Sequence, residues 1–144
     1  SAGFNDTYWG VGLVAFDRDR DGDLDVFQTT NSTGGPARLL DNAPTTPGNH
    51  FLEVKPRMPG TNHWAICAVV RVTAGGRTMM RPILAGGSFL SQEPAEAHFG
   101  LGAATSADIT IDWPDGTQTT VTGIVAEAEA VIAKRFVEPS LDKS

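Results

Sequence analysis

A β-hairpin is predicted most directly by the sequence VVRVTAGGRTMMRPI, which occupies residues 69–83. Two runs rich in apolar and β-branched residues, 69–74 and 77–83, flank the dipeptide Gly75-Gly76. Glycine readily adopts the positive φ angles that a two-residue hairpin turn requires. The stretch therefore predicts two antiparallel strands joined by a tight turn.

A second hairpin is predicted further along the chain, where Ile109–Trp113 and Gln118–Val121 flank the turn Pro114-Asp115-Gly116-Thr117. Other short runs alternate apolar and polar residues between Gly- and Pro-rich turns, at 12–16, 25–29 and 51–55. Strands at this spacing are typical of an all-β sandwich or barrel. The stretch 125–135 is ambiguous, and we expect one helical turn or loop near Ala126–Ala130 followed by a strand.

Composition excludes several classes of protein. The 144 residues are 40% hydrophobic and 19% charged, which is typical of a globular chain. A net charge of −6 argues against nucleic acid as a partner, and no apolar run reaches the roughly 18 residues of a membrane span. The single cysteine, Cys67, excludes an internal disulfide and a thiolate zinc cluster, and we expect it to be a small buried apolar side chain.

The acidic residues are concentrated in one loop. Five of the 17 lie within nine residues: Asp17, Asp19, Asp21, Asp23 and Asp25. Calcium binds roughly six to eight oxygens, which carboxylates at alternate positions can supply around one ion. Gly22 permits the sharp turn. We predict that all five aspartates bind Ca²⁺. Asp17, Asp19, Asp21 and Asp25 would bind through their carboxylates, and Asp23 through its backbone carbonyl, with its side chain pointing away.

The predicted calcium loop is not an EF-hand. An EF-hand loop has a bidentate Glu at its twelfth position, where this chain has Gln28. The flanking runs also alternate as strands do, whereas an EF-hand loop lies between helices. We therefore predict an Asp loop on an N-terminal β-hairpin, closed by Asp25.

Two segments resemble known families. Trp9-Gly-Val-Gly-Leu-Val-Ala-Phe16, the Asp loop and Asp25-Val-Phe27 resemble one FG-GAP (VCBS) repeat. The chain from residue 49 onward resembles the ASPIC/UnbV domain at Asn49–Val54, Ile66–Arg77, Gly86–Gln92, His98–Gly102 and Ile111–Gly116. The resemblance predicts a calcium-binding hairpin at 1–30, a linker at 31–48 and a β domain at 49–144. It implies an extracellular, periplasmic or cell-surface protein that is non-enzymatic and adhesive or matrix-associated.

Two functions are hypotheses at this point. Chains of the resembling kind carry several FG-GAP repeats, whereas this chain has one, so a sheet edge is expected to be exposed. The first hypothesis is a calcium-stabilised structural module that forms a homo-oligomer or filament by strand addition, donating 1–8 or 134–144, or that binds a matrix or glycan partner. The second is a carbohydrate-binding or accessory domain of a larger secreted protein.

The remaining side chains give weaker indications. Trp9, Trp64 and Trp113, with Tyr8, either line a sugar-binding face or pack in the β-core and its turns. We expect His98 to hydrogen-bond a turn, and the spacing of His50, His63 and His98 does not support a zinc site. No nucleophile or acid–base constellation is present in the sequence, so we predict no enzyme activity.

Overall fold

The computed structural model describes residues 9–31, 33–42, 47–89 and 91–135. These residues are all-β, as the sequence predicts, and within the described ranges there is no helix. The strands are β1 (Gly10–Phe16), β2 (Asp25–Thr30), β3 (Arg38–Leu40), β4 (His50–Arg57), β5 (Val69–Ala74), β6 (Arg77–Pro82), β7 (Ala97–Gly102), β8 (Ser106–Asp112), β9 (Gln118–Val125) and β10 (Ala128–Ala133).

The strands form three sheets. The N-terminal sheet has the order β1-β2-β3, the three-stranded core sheet β10-β4-β7, and the four-stranded core sheet β6-β5-β8-β9. Neighbouring strands are antiparallel except β10 and β4, which run parallel. Both predicted hairpins are present, as β5–β6 and β8–β9. Gly75 and Gly76 have φ angles of 54° and 76°, as the tight turn of the first hairpin requires.

The two core sheets share one apolar interior. Side chains of a strand point alternately to its two faces, so every second residue is buried. Leu52, Val54, Phe99 and Leu101 come from the three-stranded core sheet, and Val70, Val72, Ile109 and Ile111 from the four-stranded one. The other face of the three-stranded core sheet carries Phe51, Glu53, Lys55 and His98, and here the loop of the N-terminal sheet makes contact.

Tertiary pairing determines strands that the local sequence does not predict. Of the helical turn or loop expected near Ala126–Ala130, a loop is present at 126–127 and no helical turn; the strand expected after it is present but begins earlier, at Ala128. Alanine and glutamate favour helix only weakly over so few residues, and the parallel ladder with β4 satisfies the backbone instead. Strand β3 lies inside the segment predicted as a linker and pairs with β2. Strand β7 is not among the predicted strands, although Ala97, Phe99 and Leu101 are buried at the two-residue spacing of a strand.

Candidate metal centre on the N-terminal hairpin

The Asp loop connects β1 to β2 and is organised by its own side chains. Asp17 accepts hydrogen bonds from the backbone N–H groups of Arg20, at 2.7 Å, and Gly22, at 3.0 Å. Asp21 accepts one from the N–H of Asp23 at 3.0 Å. Arg20 and Gly22 have φ angles of 65° and 93°, so the loop turns sharply at both residues. The turn predicted at Gly22 is present, and the flanks are strands, as the departure from the EF-hand pattern indicates.

Three of the five predicted ligands converge. Asp17, Asp19 and Asp21 each offer a carboxylate oxygen, and these oxygens all lie within 4.8 Å of one another. Oxygens that bind one calcium ion at 2.3–2.6 Å can be no more than about 5 Å apart. The spacing and the hard oxygen chemistry of the three carboxylates therefore fit a cation of this kind.

Asp23 and Asp25 lie outside this group of three. Asp25 is buried, with 2% of its surface exposed. Its two oxygens accept hydrogen bonds from the N–H groups of Arg18, at 3.1 Å, and Asn42, at 2.8 Å. Asp25 therefore links the start of the loop to the segment after β3 through these two hydrogen bonds, and the link needs no bound metal.

Arg18 places one positive charge beside the loop. Its guanidinium donates to Asp41, with the shorter distance 2.8 Å, and to Asp19 at 3.2 Å. The hydrogen bond to Asp41 is the main cause that raises the pKa of Arg18. The arginine thus offsets part of the repulsion between the clustered carboxylates.

The loop docks on the three-stranded core sheet at Gly22. The Gly22 carbonyl accepts a hydrogen bond from His98 Nε2 at 2.8 Å. This confirms the expectation that His98 bonds a turn, and the turn is one 76 residues away in the sequence. The Phe51 ring stacks beside His98 with centroids 5.8 Å apart and packs against Gly22. A cleft of about 410 Å³ between loop and sheet is lined by these residues together with Asp21, Asp23 and His50.

A second cluster of charged groups lies on the same sheet face and was not anticipated from the sequence. Lys55 Nζ is 3.2 Å from Glu53, 3.3 Å from Glu96 and 2.9 Å from Glu129. Glu53 is 8% exposed, and its burial, aided by the neighbouring Glu96, raises its pKa to about 7, while Lys55 opposes the shift. Glu53 and Lys55 alternate with buried apolar residues on β4, a pattern that could have revealed this charged face.

The three tryptophans considered as a sugar-binding face lie in different environments. Trp113 lies in the core, with its Nε1 donating to Thr119, whereas Trp9 and Trp64 are 82% and 54% exposed and so are not part of the β-core. Tyr8 lies outside the described residues. The guanidinium of Arg57 lies over the Trp64 ring at 4.5 Å.

The expectation for Cys67 is wrong, because its side chain is exposed. Ala65 and Cys67 have φ angles of 51° and 72°, so the backbone there is not extended and side chains do not alternate between two faces as in a strand. The chain consequently buries Ala65 and Ala68 and turns the cysteine outward.

Comparison with known proteins identifies the second part of the chain. The sequence profile of the family described as ASPIC and UnbV matches residues 58–137, more than half of the chain. The chain belongs to the ASPIC and UnbV family. The matched segment extends from just after β4 to just beyond β10, and so includes the whole four-stranded core sheet.

Two curated relatives share this similarity. Cartilage acidic protein 1 of Mus musculus and that of Homo sapiens are each 29% identical over 107 residues, which is 74% of this chain. The matched portion is 17% of the mouse protein and 16% of the human protein, so this ASPIC and UnbV chain spans about a sixth of the length of the curated relatives it matches. Among the described residues, no helix has the length and apolar character needed to cross a membrane.

Proposed function

We propose that this ASPIC and UnbV chain is a calcium-stabilised extracellular structural module. The observation that carries the proposal is the convergence of Asp17, Asp19 and Asp21 within 4.8 Å on a hairpin loop. Bound calcium would supply positive charge among carboxylates that otherwise repel one another, and so would favour the folded loop. The resemblance of residues 9–27 to an FG-GAP repeat supports the same role for the loop.

The proposal places the chain outside the cell or, in a bacterium, in the periplasm or on the cell surface. Its support is the family membership and the name of the relatives, which refers to cartilage, a tissue rich in extracellular matrix. We propose that the chain is not an enzyme.

Self-assembly by strand addition, or adhesion to a matrix or glycan partner, is the proposed mode of action. Among the described strands, β9 and β10 are each paired on one side only. They line a common groove of about 1040 Å³ that includes Val121, Ile124 and Ile132. A free strand edge offers backbone donors and acceptors to an incoming strand. Of the donor segments expected at 1–8 and 134–144, residues 1–8 and 136–144 lie outside the described residues.

The calcium proposal is tested by titrating the chain with calcium and comparing Asp19→Asn with Asp23→Asn. Both changes remove one negative charge from the loop, but only Asp19 belongs to the converging group. We expect Asp19→Asn to weaken binding about tenfold and Asp23→Asn by much less, because ligand charge count sets calcium affinity. Equal effects would mean that the loop acts only through its overall charge, and no binding to the wild-type chain would refute the proposal.

The assembly proposal uses the same sample. Light scattering after size-exclusion chromatography should show concentration-dependent oligomers in calcium that dissociate in EGTA. A chain that remains monomeric at high concentration in calcium would contradict strand addition.

A carbohydrate-binding role is the second candidate, and the exposure of Trp9 and Trp64 favours it. Exposed indole rings present flat apolar surfaces of the kind on which sugar rings stack. Glycan binding that is lost in Trp64→Ala but retained in Phe89→Ala, a variant at another exposed aromatic residue, would favour this role.

A further inference from the structure

Gly22 is the residue at which the Asp loop meets the three-stranded core sheet. Its N–H donates to Asp17 Oδ2 at 3.0 Å, on the side of the carboxylate cluster. Its carbonyl accepts from His98 Nε2 at 2.8 Å, on the side of the sheet. A single residue therefore connects a clustered carboxylate to strand β7, and a displacement of Gly22 would displace the Asp17 carboxylate.

Phe51 fixes the position of Gly22 by contact. A Cβ atom added to Gly22 would lie 2.1 Å from Phe51 Cδ1, so the aromatic ring occupies the space that any other residue would need. The ring is stacked on His98 with an interplanar angle of 8°. Phe51 and His98 lie on the antiparallel ladder between β4 and β7, which is in regular register from Phe51 to Val54 and shifts between His50 and Phe51.

We propose that His98 and Phe51 are positioning residues for the calcium site, so that the site is completed by strands β7 and β4 of the three-stranded core sheet. This inference rests on the proposed calcium function. His98 and Phe51 hold Gly22, Gly22 holds one oxygen of Asp17, and the N–H of Arg20 holds the other. A carboxylate already oriented before binding loses less conformational freedom when the ion binds.

The positioning has a reciprocal consequence. If docking of the loop on the sheet strengthens calcium binding, calcium binding must strengthen docking by the same factor. Calcium should therefore slow amide hydrogen exchange in β4 and β7, strands that contribute no carboxylate to the group of three.

The test measures calcium affinity of the full chain by calorimetry for His98→Leu, His98→Gln and Phe51→Leu, with His63→Leu as the matched control. His63 is an exposed histidine that lies edge-on to Trp64. We expect His98→Leu to weaken calcium binding at least about fivefold, the lower range of coupling between sites. His98→Gln, which retains an N–H donor, should recover most of the affinity, and His63→Leu should leave it unchanged.

Two results separate this inference from the proposed function. Absence of calcium binding by the wild-type chain would overturn both. Wild-type binding with unchanged affinity in folded His98→Leu, and unchanged exchange in β4 and β7 on adding calcium, would overturn the positioning role and leave the calcium function standing. Should His98→Leu fail to fold, Phe51→Leu decides, because it keeps an apolar side chain on the sheet: weaker binding supports the inference and equal binding refutes it.

Discussion

Glu53→Gln should remove a pH dependence of stability that the wild-type chain carries between pH 4.5 and 7. Glu53 lies on β4, next to Lys55 and opposite His98 of β7, with Glu96 and Glu129 completing its charged surroundings. Burial is the main reason that its pKa rises from 4.5 to about 7. Glutamine retains the shape and hydrogen-bonding capacity of the side chain but does not titrate.

The sign and size of the effect are set by proton linkage. Between pH 4.5 and 7 the folded chain holds a proton on Glu53 that the unfolded chain releases, so the free energy of unfolding falls as the pH rises through this window. One pKa unit corresponds to about 1.4 kcal/mol, so the wild-type chain should lose up to about 3 kcal/mol over the interval. That is a large share of the roughly 5–15 kcal/mol of a typical domain.

The assay is urea unfolding at half-unit pH steps, with metal-free protein in calcium-free buffer so that no metal contributes at any pH. Unfolding is followed by tryptophan fluorescence, to which the buried Trp113 contributes. Subtracting the Glu53→Gln profile from the wild-type profile removes the contribution of the histidines. Glu129→Gln is the control, because Lys55 lowers the pKa of Glu129 and places its contribution below pH 4.5. A difference profile without slope between pH 4.5 and 7 would refute the assignment.

Two further pairs of substitutions test the packing of the core and the hydrogen bonding of the N-terminal hairpin. The Phe99 side chain is 2% exposed, so Phe99→Ala should lower the free energy of unfolding by about 3–5 kcal/mol in the same denaturation experiment. The Phe89 side chain is 68% exposed, so Phe89→Ala should change it by less than about 0.5 kcal/mol. Asp25→Ala should destabilise the N-terminal sheet by about 1–3 kcal/mol in EGTA, because the N–H groups of Arg18 and Asn42 lose their acceptor. Asp25→Asn should destabilise the sheet less, because the amide oxygen still accepts one hydrogen bond. Equal losses of stability from the two variants in thermal melts would contradict this role of Asp25.

The Asp loop and the two hairpins were accessible from sequence because their causes are local. Gly75-Gly76 and Pro114-Asp115-Gly116 specify turns through their own backbone preferences, and Gly22 specifies the turn of the loop in the same way. Alternation of apolar and polar residues then predicts the flanking strands. Convergence of Asp17, Asp19 and Asp21 results from alternate spacing on one sharply turned loop.

Strands β3, β7 and the start of β10 were missed because distant pairing determines them. Arg38–Leu40 is a strand because β2 presents an open edge, and Ala128–Ala130 is a strand because β4 lies alongside it in parallel register. Local propensity contains no information about such partners. The charged group of Glu53, Lys55, Glu96 and Glu129 is likewise assembled from three strands or their flanks, and no single segment contains it.

The sequence by itself determined the all-β class, the two core hairpins and an acidic loop with the oxygen chemistry for calcium, because turn residues and two-residue periodicity act over short distances. Only the tertiary structure decided that this loop rests on the three-stranded core sheet through Gly22, Phe51 and His98. It also decided that Glu53 is buried beside an acid and a lysine. Both depend on bringing residues far apart in the chain within a few ångströms, because β7 and β10 pair with β4 to form one outer sheet face and the Asp loop docks on that face.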